Sequence, residues 1–300
     1  MNRRELSDSF KRNVLGAFSN GAAWLDSLPS LITECEKRWQ ISVGAPFKLS
    51  YNFVAAATTA TGTEVVLKIG VPNPELNSEI QALKTYAGRG AVRLLDSDED
   101  RGLLLMERLV PGEMLYSLTD DKEATRIAAR TMGELWRALP TNHSFPTVAR
   151  WAEGLGRLRK RFNGGTGPFQ SSLVEMAESL FRELLSSSEP SVLLHGDLQH
   201  FNILSNRQSW TAIDPKGVAG ERAYEVGALL RNPNRQLCTN VDVQRRRIDV
   251  LREELGFDKY RIVGWGVAQA VLSAWWSYED SGSGWESGCA CAEVLARLMP

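Results

Sequence analysis

The sequence predicts an α+β protein of two lobes, a small antiparallel-sheet lobe over residues 1–110 that includes an N-terminal helix, and a larger, mainly helical lobe over 111–300. Three observations predict it. Residues 47–70, FKLSYNFVAAATTATGTEVVLKIG, are rich in β-branched and aromatic residues and are broken once by Thr61-Gly62, as two strands around a turn are. Beyond Pro111-Gly112 the apolar residues recur at three- and four-residue steps, as on helix faces. Within that helical stretch lies one island of short strands, LLHGDLQHFNILSNRQSWTAIDPKG, which carries Asp197, Asn202 and Asp214.

Taken in order, Trp24, Leu25, Leu28, Leu31, Ile32, Cys35 and Trp39 form one face of a helix over 21–40. Side chains alternate along a strand, so in the run 63–69 Lys68 shares a face with Val66 and opposes Val65, Leu67 and Ile69. Pro72 and Pro74 open the next helix, whose stripe of Leu76, Ile80, Leu83 and Ala87 has Glu79 at its margin. Strands are expected at 91–96 and 102–109. Helices follow at 120–139, about 147–162 and 171–185, and then the strand island at 192–194, 203–204 and 210–213. The last helices are expected at 241–255, 260–278 and 286–299. This order, sheet first and helices after, is an α+β arrangement.

Composition narrows the function. The chain has 300 residues, with 35 Lys and Arg against 36 Asp and Glu, a net charge of −1. No summed field draws it to nucleic acid or to an anionic membrane. Its four cysteines lack metal-ligand spacing and read as reduced core thiols. The start MNRRELSDSFKRN lacks an apolar leader core, and no apolar run reaches the roughly 18 residues of a membrane span. A soluble cytoplasmic protein that acts on a small molecule is therefore expected.

The strand island suggests which chemistry. A phosphotransferase needs oxygen ligands for Mg²⁺, a cation on the phosphates and a group that orients the attacking hydroxyl. In H-G-D-L-Q-H-F-N, Asp197 and Asn202 have the D-x-x-x-x-N spacing of a kinase-type catalytic loop. Asp214 ends the apolar strand that follows. Upstream, Val65-Val66-Leu67-Lys68 has the form of a strand lysine that pairs with phosphates, and Glu79 on the next helix can hold it. Each element alone is weak, whereas the five in order are specific.

HGDLQHFNIL followed by IDPKG, with YNFVAAA, VVLK and LLLMERLVPG, resembles the aminoglycoside phosphotransferase superfamily, small-molecule kinases with a protein-kinase-like fold. IDPKGVAGERAYEVGALLRNP and AVLSAWWSYED resemble its streptomycin 6-kinase and hydroxyurea kinase branch, and the likeness runs from about residue 25 to the C-terminus. The resemblance implies a kinase dependent on ATP and Mg²⁺ that phosphorylates a hydroxyl of an aminoglycoside, with the 6-hydroxyl of streptomycin as first choice. Hydroxyurea or an endogenous metabolite is the alternative acceptor, and a catalytically silent nucleotide-binding module is the alternative class. By the same resemblance Asp197 orients the acceptor hydroxyl, Asn202 and Asp214 hold Mg²⁺, and Lys68 with Glu79 clamps the phosphates. Ser50 and Asn52 belong to the loop over the phosphates, and Met106 to Leu109 to the connecting segment, where Glu107 and Leu109 offer backbone bonds to adenine.

Three departures stand out. There is no G-x-G-x-x-G, Gln199 and Phe201 occupy positions that differ in close relatives, and Pro215-Lys216 follow Asp214. Pro215 fixes φ and removes an N–H, so no flipping activation switch is expected. His195 reads as a loop brace, His200 as a second brace or, alternatively, a residue that approaches the nucleotide site, and His143 as a surface loop residue. Arg245-Arg246-Arg247 reads as a solvated helix face, because three consecutive helical residues point in different directions. For a guanidino-bearing acceptor, carboxylates and aromatic faces are needed. Trp275, Trp276, Tyr278, Glu279 and Asp280 offer both, with Glu221 and Glu225 as further acidic candidates.

Overall fold

The structure is a computed structural model and describes residues 6–300. Residues 1–5 of the stretch read for a leader lie outside the described residues. The chain divides into two compact units, Met1–Gly112 and Glu113–Pro300.

The first unit packs two helices, α1 (Asp8–Ala17) and α2 (Gly21–Trp39), on one face of a sheet. The Ser7 Oγ accepts the Phe10 N–H at 3.3 Å and caps α1. Phe10 and Val14 of α1 and Trp24, Leu28, Ile32 and Cys35 of α2 are buried, and Phe10 meets Trp24 edge-on. α2 ends at Gln40 in the left-handed region (φ 51°), which turns the chain straight into a strand. The strands are β1 (Ile41–Pro46), β2 (Phe53–Thr59) and β3 (Glu64–Ile69), then, after α3 (Pro74–Tyr86), β4 (Leu94–Asp98) and β5 (Leu103–Glu107). Their order in the sheet is β1-β2-β3-β5-β4, with antiparallel neighbours.

β1 was not expected from the sequence. Its residues ISVGAP contain Gly and Pro and carry little strand pattern, and pairing with β2 decides their conformation. On β3, Val65, Leu67 and Ile69 join the helix-covered core, so Lys68 points to the opposite face. Asn73 caps α3 there, its Oδ1 accepting the N–H groups of Glu75 and Leu76, and Pro74 fills the first turn.

The second unit opens on the end of β6 (Pro111–Met114) and continues with α4 (Asp121–Leu135), β7 (Arg137–Ala138), α5 (Val148–Arg161) and α6 (Ser171–Ser186). β8 (Val192–Leu194), β9 (Ile203–Asn206), β10 (Ser209–Ala212) and β11 (Val218–Gly220) are the strand island. Next come α7 (Val226–Leu230), α8 (Arg235–Cys238), α9 (Val241–Leu255), α10 (Lys259–Ser281) and α11 (Glu286–Ala296). α10 is the axis of the unit and is buried almost continuously from Ile262 to Trp275.

The expected helix over 120–139 stops at Leu135, because Arg137 and Ala138 pair with Leu193 and Val192 of β8. The sequence reading of Arg247 as solvated also fails. Arg247 is fully buried, bonding both carboxylate oxygens of Asp121 and, through Nη1, the Asn232 carbonyl at 2.6 Å. It fastens α9 to α4 and to the chain after α7. The four cysteines are free and buried, as the composition suggested. Among the described residues no helix is long and apolar enough to cross a membrane.

Candidate active site

In the first unit, the face of β3 opposite the α1–α2 core brings Lys68 to α3. Its ammonium donates to both oxygens of Glu79, at 2.6 and 2.7 Å, and both side chains are buried. Eleven residues apart, one on a strand and one on the next helix, they meet because alternation on β3 and the 3.6-residue period of α3 turn them toward each other. Asn52 lies against Gly70, where a Cβ would come within 2.4 Å of its Oδ1, so Gly70 is kept small by close approach. Ser50 is exposed, and its carbonyl accepts the Asn13 amide at 3.1 Å. The Glu107 N–H is spent on the Arg93 carbonyl, and its carboxylate accepts the Arg93 N–H at 2.8 Å. Leu109 is buried.

In the second unit, residues 195–202 link β8 to β9 and residues 213–217 link β10 to β11. The two loops are sewn together at His195. Its Nε2 donates to the Ile213 carbonyl at 2.9 Å, its Nδ1 accepts the Asp197 N–H at 3.2 Å, and its own carbonyl accepts the Lys216 N–H at 2.8 Å. Full burial pushes the imidazole pKa down, which keeps this ring neutral and suited to bracing. Below it, Glu225 accepts the N–H groups of His195 and Gly196 at 2.7 and 2.9 Å. Gly196 lies at φ +85°, and a Cβ there would strike Trp151 at 2.8 Å, so both conformation and space require glycine.

Asn202 spends its amide nitrogen on Asp197, at 2.9 Å to the carbonyl and 3.3 Å to Oδ2. Asp214 stands at φ 60°, a left-handed position that a non-glycine residue holds only under local constraint. Among the described residues no group of three His, Cys, Asp or Glu could hold a metal. The donors here, one carboxylate and one amide oxygen, suit Mg²⁺, which keeps several waters and takes phosphate oxygens to complete its shell.

Sequence reasoning missed Arg231. It follows α7, and its Nη2 donates to Asp197 Oδ1 at 2.9 Å while Nη1 donates to Gln269 Oε1 at 3.0 Å. Nothing local marks it, since its two partners lie 34 residues before and 38 residues after it.

The acceptor candidates separate. Trp275 is buried in an aromatic cluster with Phe162, Phe169 and Tyr278. Glu225 is committed to the loop backbone, and Glu221 is buried with Arg261, Trp265 and the Glu189 N–H. These three are packing and bracing residues here. Glu279 and Asp280 are exposed, and Glu279 is paired with Arg157 at 2.8 and 2.9 Å. Trp276, half-buried, meets Trp151 edge-on at 5.6 Å between ring centroids, and Trp151 is the ring that abuts Gly196. The second bracing expectation also changes. The His200 ring is buried with both nitrogens unpartnered among the described residues, and the loop is held there by its carbonyl, which accepts the Tyr116 N–H. Tyr116 also packs on Phe201, with ring centroids 4.8 Å apart.

The fold defines the class. Solved structures share it at TM-scores of 0.65 for choline kinase LicA from Streptococcus pneumoniae (15% identity; 90% of this chain, 99% of that one) and 0.62 for aminoglycoside phosphotransferase APH(4)-Ia in ternary complex with ADP and hygromycin B (12%; 89% and 98%). This is the protein-kinase-like α+β fold of small-molecule kinases. Within it, the chain belongs to the aminoglycoside/hydroxyurea antibiotic resistance kinase family, whose model matches residues 38–281. It is 31% identical to a streptomycin 6-kinase of Streptomyces glaucescens over 92% of both chains. It is 32% identical to a hydroxyurea phosphotransferase of Kitasatospora aureofaciens, over 92% of this chain and 81% of that one. The chain is thus a phosphotransferase with a hydroxyl acceptor.

Proposed function

We propose that the chain uses ATP and Mg²⁺ to phosphorylate a hydroxyl of an aminoglycoside, the 6-hydroxyl of streptomycin first among them. The observation that carries this reading is the Asp197–Asn202 pair. The Asn202 amide nitrogen faces Asp197, which leaves its carbonyl oxygen for a metal, and the half-buried Asp197 carboxylate is held by Asn202 and Arg231. Bound Mg²⁺ would neutralise the triphosphate, with Asn202 and Asp214 as its protein ligands. Lys68, fixed by Glu79, sets a cation on the phosphates, Ser50 and Asn52 cover them, and the backbone at Glu107 and Leu109 takes adenine. Asp197 then aligns the acceptor hydroxyl for in-line attack and accepts its proton.

For the acceptor, Glu279 and Asp280 on the last turn of α10 supply carboxylates, and the Trp151–Trp276 face supplies aromatic surface beside the catalytic loop. Of the two tryptophans expected there, Trp276 carries this reading, because Trp275 is buried in the aromatic cluster.

Asp197→Ala is expected to abolish phosphotransfer while leaving ATP affinity within about threefold of wild type, because the carboxylate acts on the acceptor and not the nucleotide. Product formation and ATP titration on the same preparation check this, and near-normal turnover would overturn the assignment. Turnover with streptomycin, other aminoglycosides and hydroxyurea separates the acceptors, and no product with streptomycin removes the 6-hydroxyl claim. Tight ATP binding with no product from any acceptor favours the silent module instead.

A further inference from the structure

Asp197 is held from two sides, and the second side has no counterpart in the loop that carries it. Asn202, five residues on, reaches Oδ2 at 3.3 Å. Oδ1 receives Arg231 at 2.9 Å, from the chain that leaves α7. Position 199, two residues after the aspartate, is a buried Gln whose Oε1 accepts the Phe201 N–H at 2.9 Å, so the loop itself turns a neutral side chain inward. Among the described residues Asp197 forms its ion pair with Arg231.

Arg231 is itself aimed. Its second guanidinium nitrogen donates to Gln269 Oε1 at 3.0 Å, and Gln269 is buried in the middle of α10, its amide nitrogen bonded to the Tyr224 carbonyl. Gly227 leaves the room for this, since a Cβ there would meet the Gln269 amide carbon at 2.4 Å. One rigid helix thus fixes an amide, the amide fixes a guanidinium, and the guanidinium fixes one oxygen of the carboxylate. A planar fork that spends one nitrogen on each partner sets direction as well as distance.

We propose that Arg231, held by Gln269, is a positioning residue for phosphotransfer, fixing the Asp197 carboxylate so that its other oxygen meets the acceptor hydroxyl. The inference rests on the reading of Asp197 as the acceptor-facing group. Without the guanidinium the carboxylate swings about χ1 and χ2, and a displacement of about 1 Å at the reacting atoms costs on the order of 100-fold in rate. The loss falls on kcat, since neither Arg231 nor Gln269 is assigned to ATP or to the acceptor.

Arg231→Ala is expected to lower kcat about 100-fold with KM for ATP and acceptor within about threefold, and added guanidinium chloride at tens of millimolar should restore at least a tenth of the loss by refilling the vacated place. Arg231→Lys should retain more activity than Arg231→Ala but respond little to guanidinium, because an ammonium cannot bridge the two partners in one plane. Gln269→Met, which keeps the volume and removes the acceptor, should reduce kcat several-fold in a protein that melts as the wild type does. Wild-type kcat in Arg231→Ala, or a loss confined to KM, overturns the proposal, and so does a kcat loss indifferent to guanidinium when Gln269→Met is fully active. If Asp197→Ala is itself active, the reading beneath fails. If Asp197→Ala is dead and Arg231→Ala is normal, this inference alone fails.

Discussion

Each unit holds one charged pair of interest, and the two are built in opposite ways. Lys68 and Glu79 lie eleven residues apart on a strand and the helix after it, bonded through both carboxylate oxygens, and their side chains are only 5% and 8% exposed. Asp197 and Arg231 lie 34 residues apart, one on a loop and one past a helix end, joined by a single bond, and their side chains are 28% and 15% exposed. The first pair is buried in regular structure, where an uncompensated charge costs several kcal/mol. The second is assembled by the tertiary fold and is less deeply buried. Stability should therefore depend on the first pair and rate on the second.

The sharpest way to break this contrast is to remove one carboxylate from the sealed pair. Glu79→Ala leaves the Lys68 ammonium buried without its carboxylate, and a change of that kind costs about 4 kcal/mol. Urea midpoints should fall accordingly, and affinity for ATP should fall with them because the cation is no longer held. Arg231→Ala, in the open pair, should lower stability by about 1 kcal/mol or less. Equal losses in the two variants would erase the distinction.

A second measurement sharpens it from beneath the loop. Burial pushes the Glu225 carboxyl up to about 7 from 4.5, against the pull of its two backbone N–H bonds. Between those values the folded protein binds more protons than the unfolded chain, so this contribution is fully present below about pH 4.5 and is lost as pH rises through 7, on the order of 3 kcal/mol. Glu225→Gln removes the titration and should flatten stability against pH across that window. The same slope in both proteins would show that other groups set it.

How much of this was legible in the sequence follows the same division. Lys68, Glu79, Asp197, Asn202 and Asp214 announce themselves because strand alternation, helix period and loop spacing are local patterns. Arg231 and Gln269 carry no such pattern, and only the tertiary fold brings Gln269 to Arg231 and Arg231 to Asp197. Arg247 shows the cost of local reasoning most plainly. As one of three consecutive arginines it looks solvated, yet it is the one that turns inward to Asp121 and three backbone carbonyls. β1 and β7 escaped for the related reason that a partner strand, not their own residues, specifies them.

Trp275 and Trp276 repeat the lesson at adjacent positions, and they supply the smallest expected effect. A helix turns successive residues by about 100°, so one ring enters the cluster of Phe162, Phe169 and Tyr278 while the next meets Trp151 beside Gly196. If an acceptor's guanidino group lies on that outer face, Trp276→Ala should raise the acceptor KM about tenfold, the worth of one cation–π contact, and leave KM for ATP unchanged. Glu279→Gln should raise it less, about threefold, because Arg157 already takes up much of that carboxylate's charge. Initial rates over acceptor concentration at saturating ATP measure both. A Trp276 effect on ATP and none on the acceptor would move the aromatic face out of the acceptor site and leave Glu279 and Asp280 as its only assigned groups.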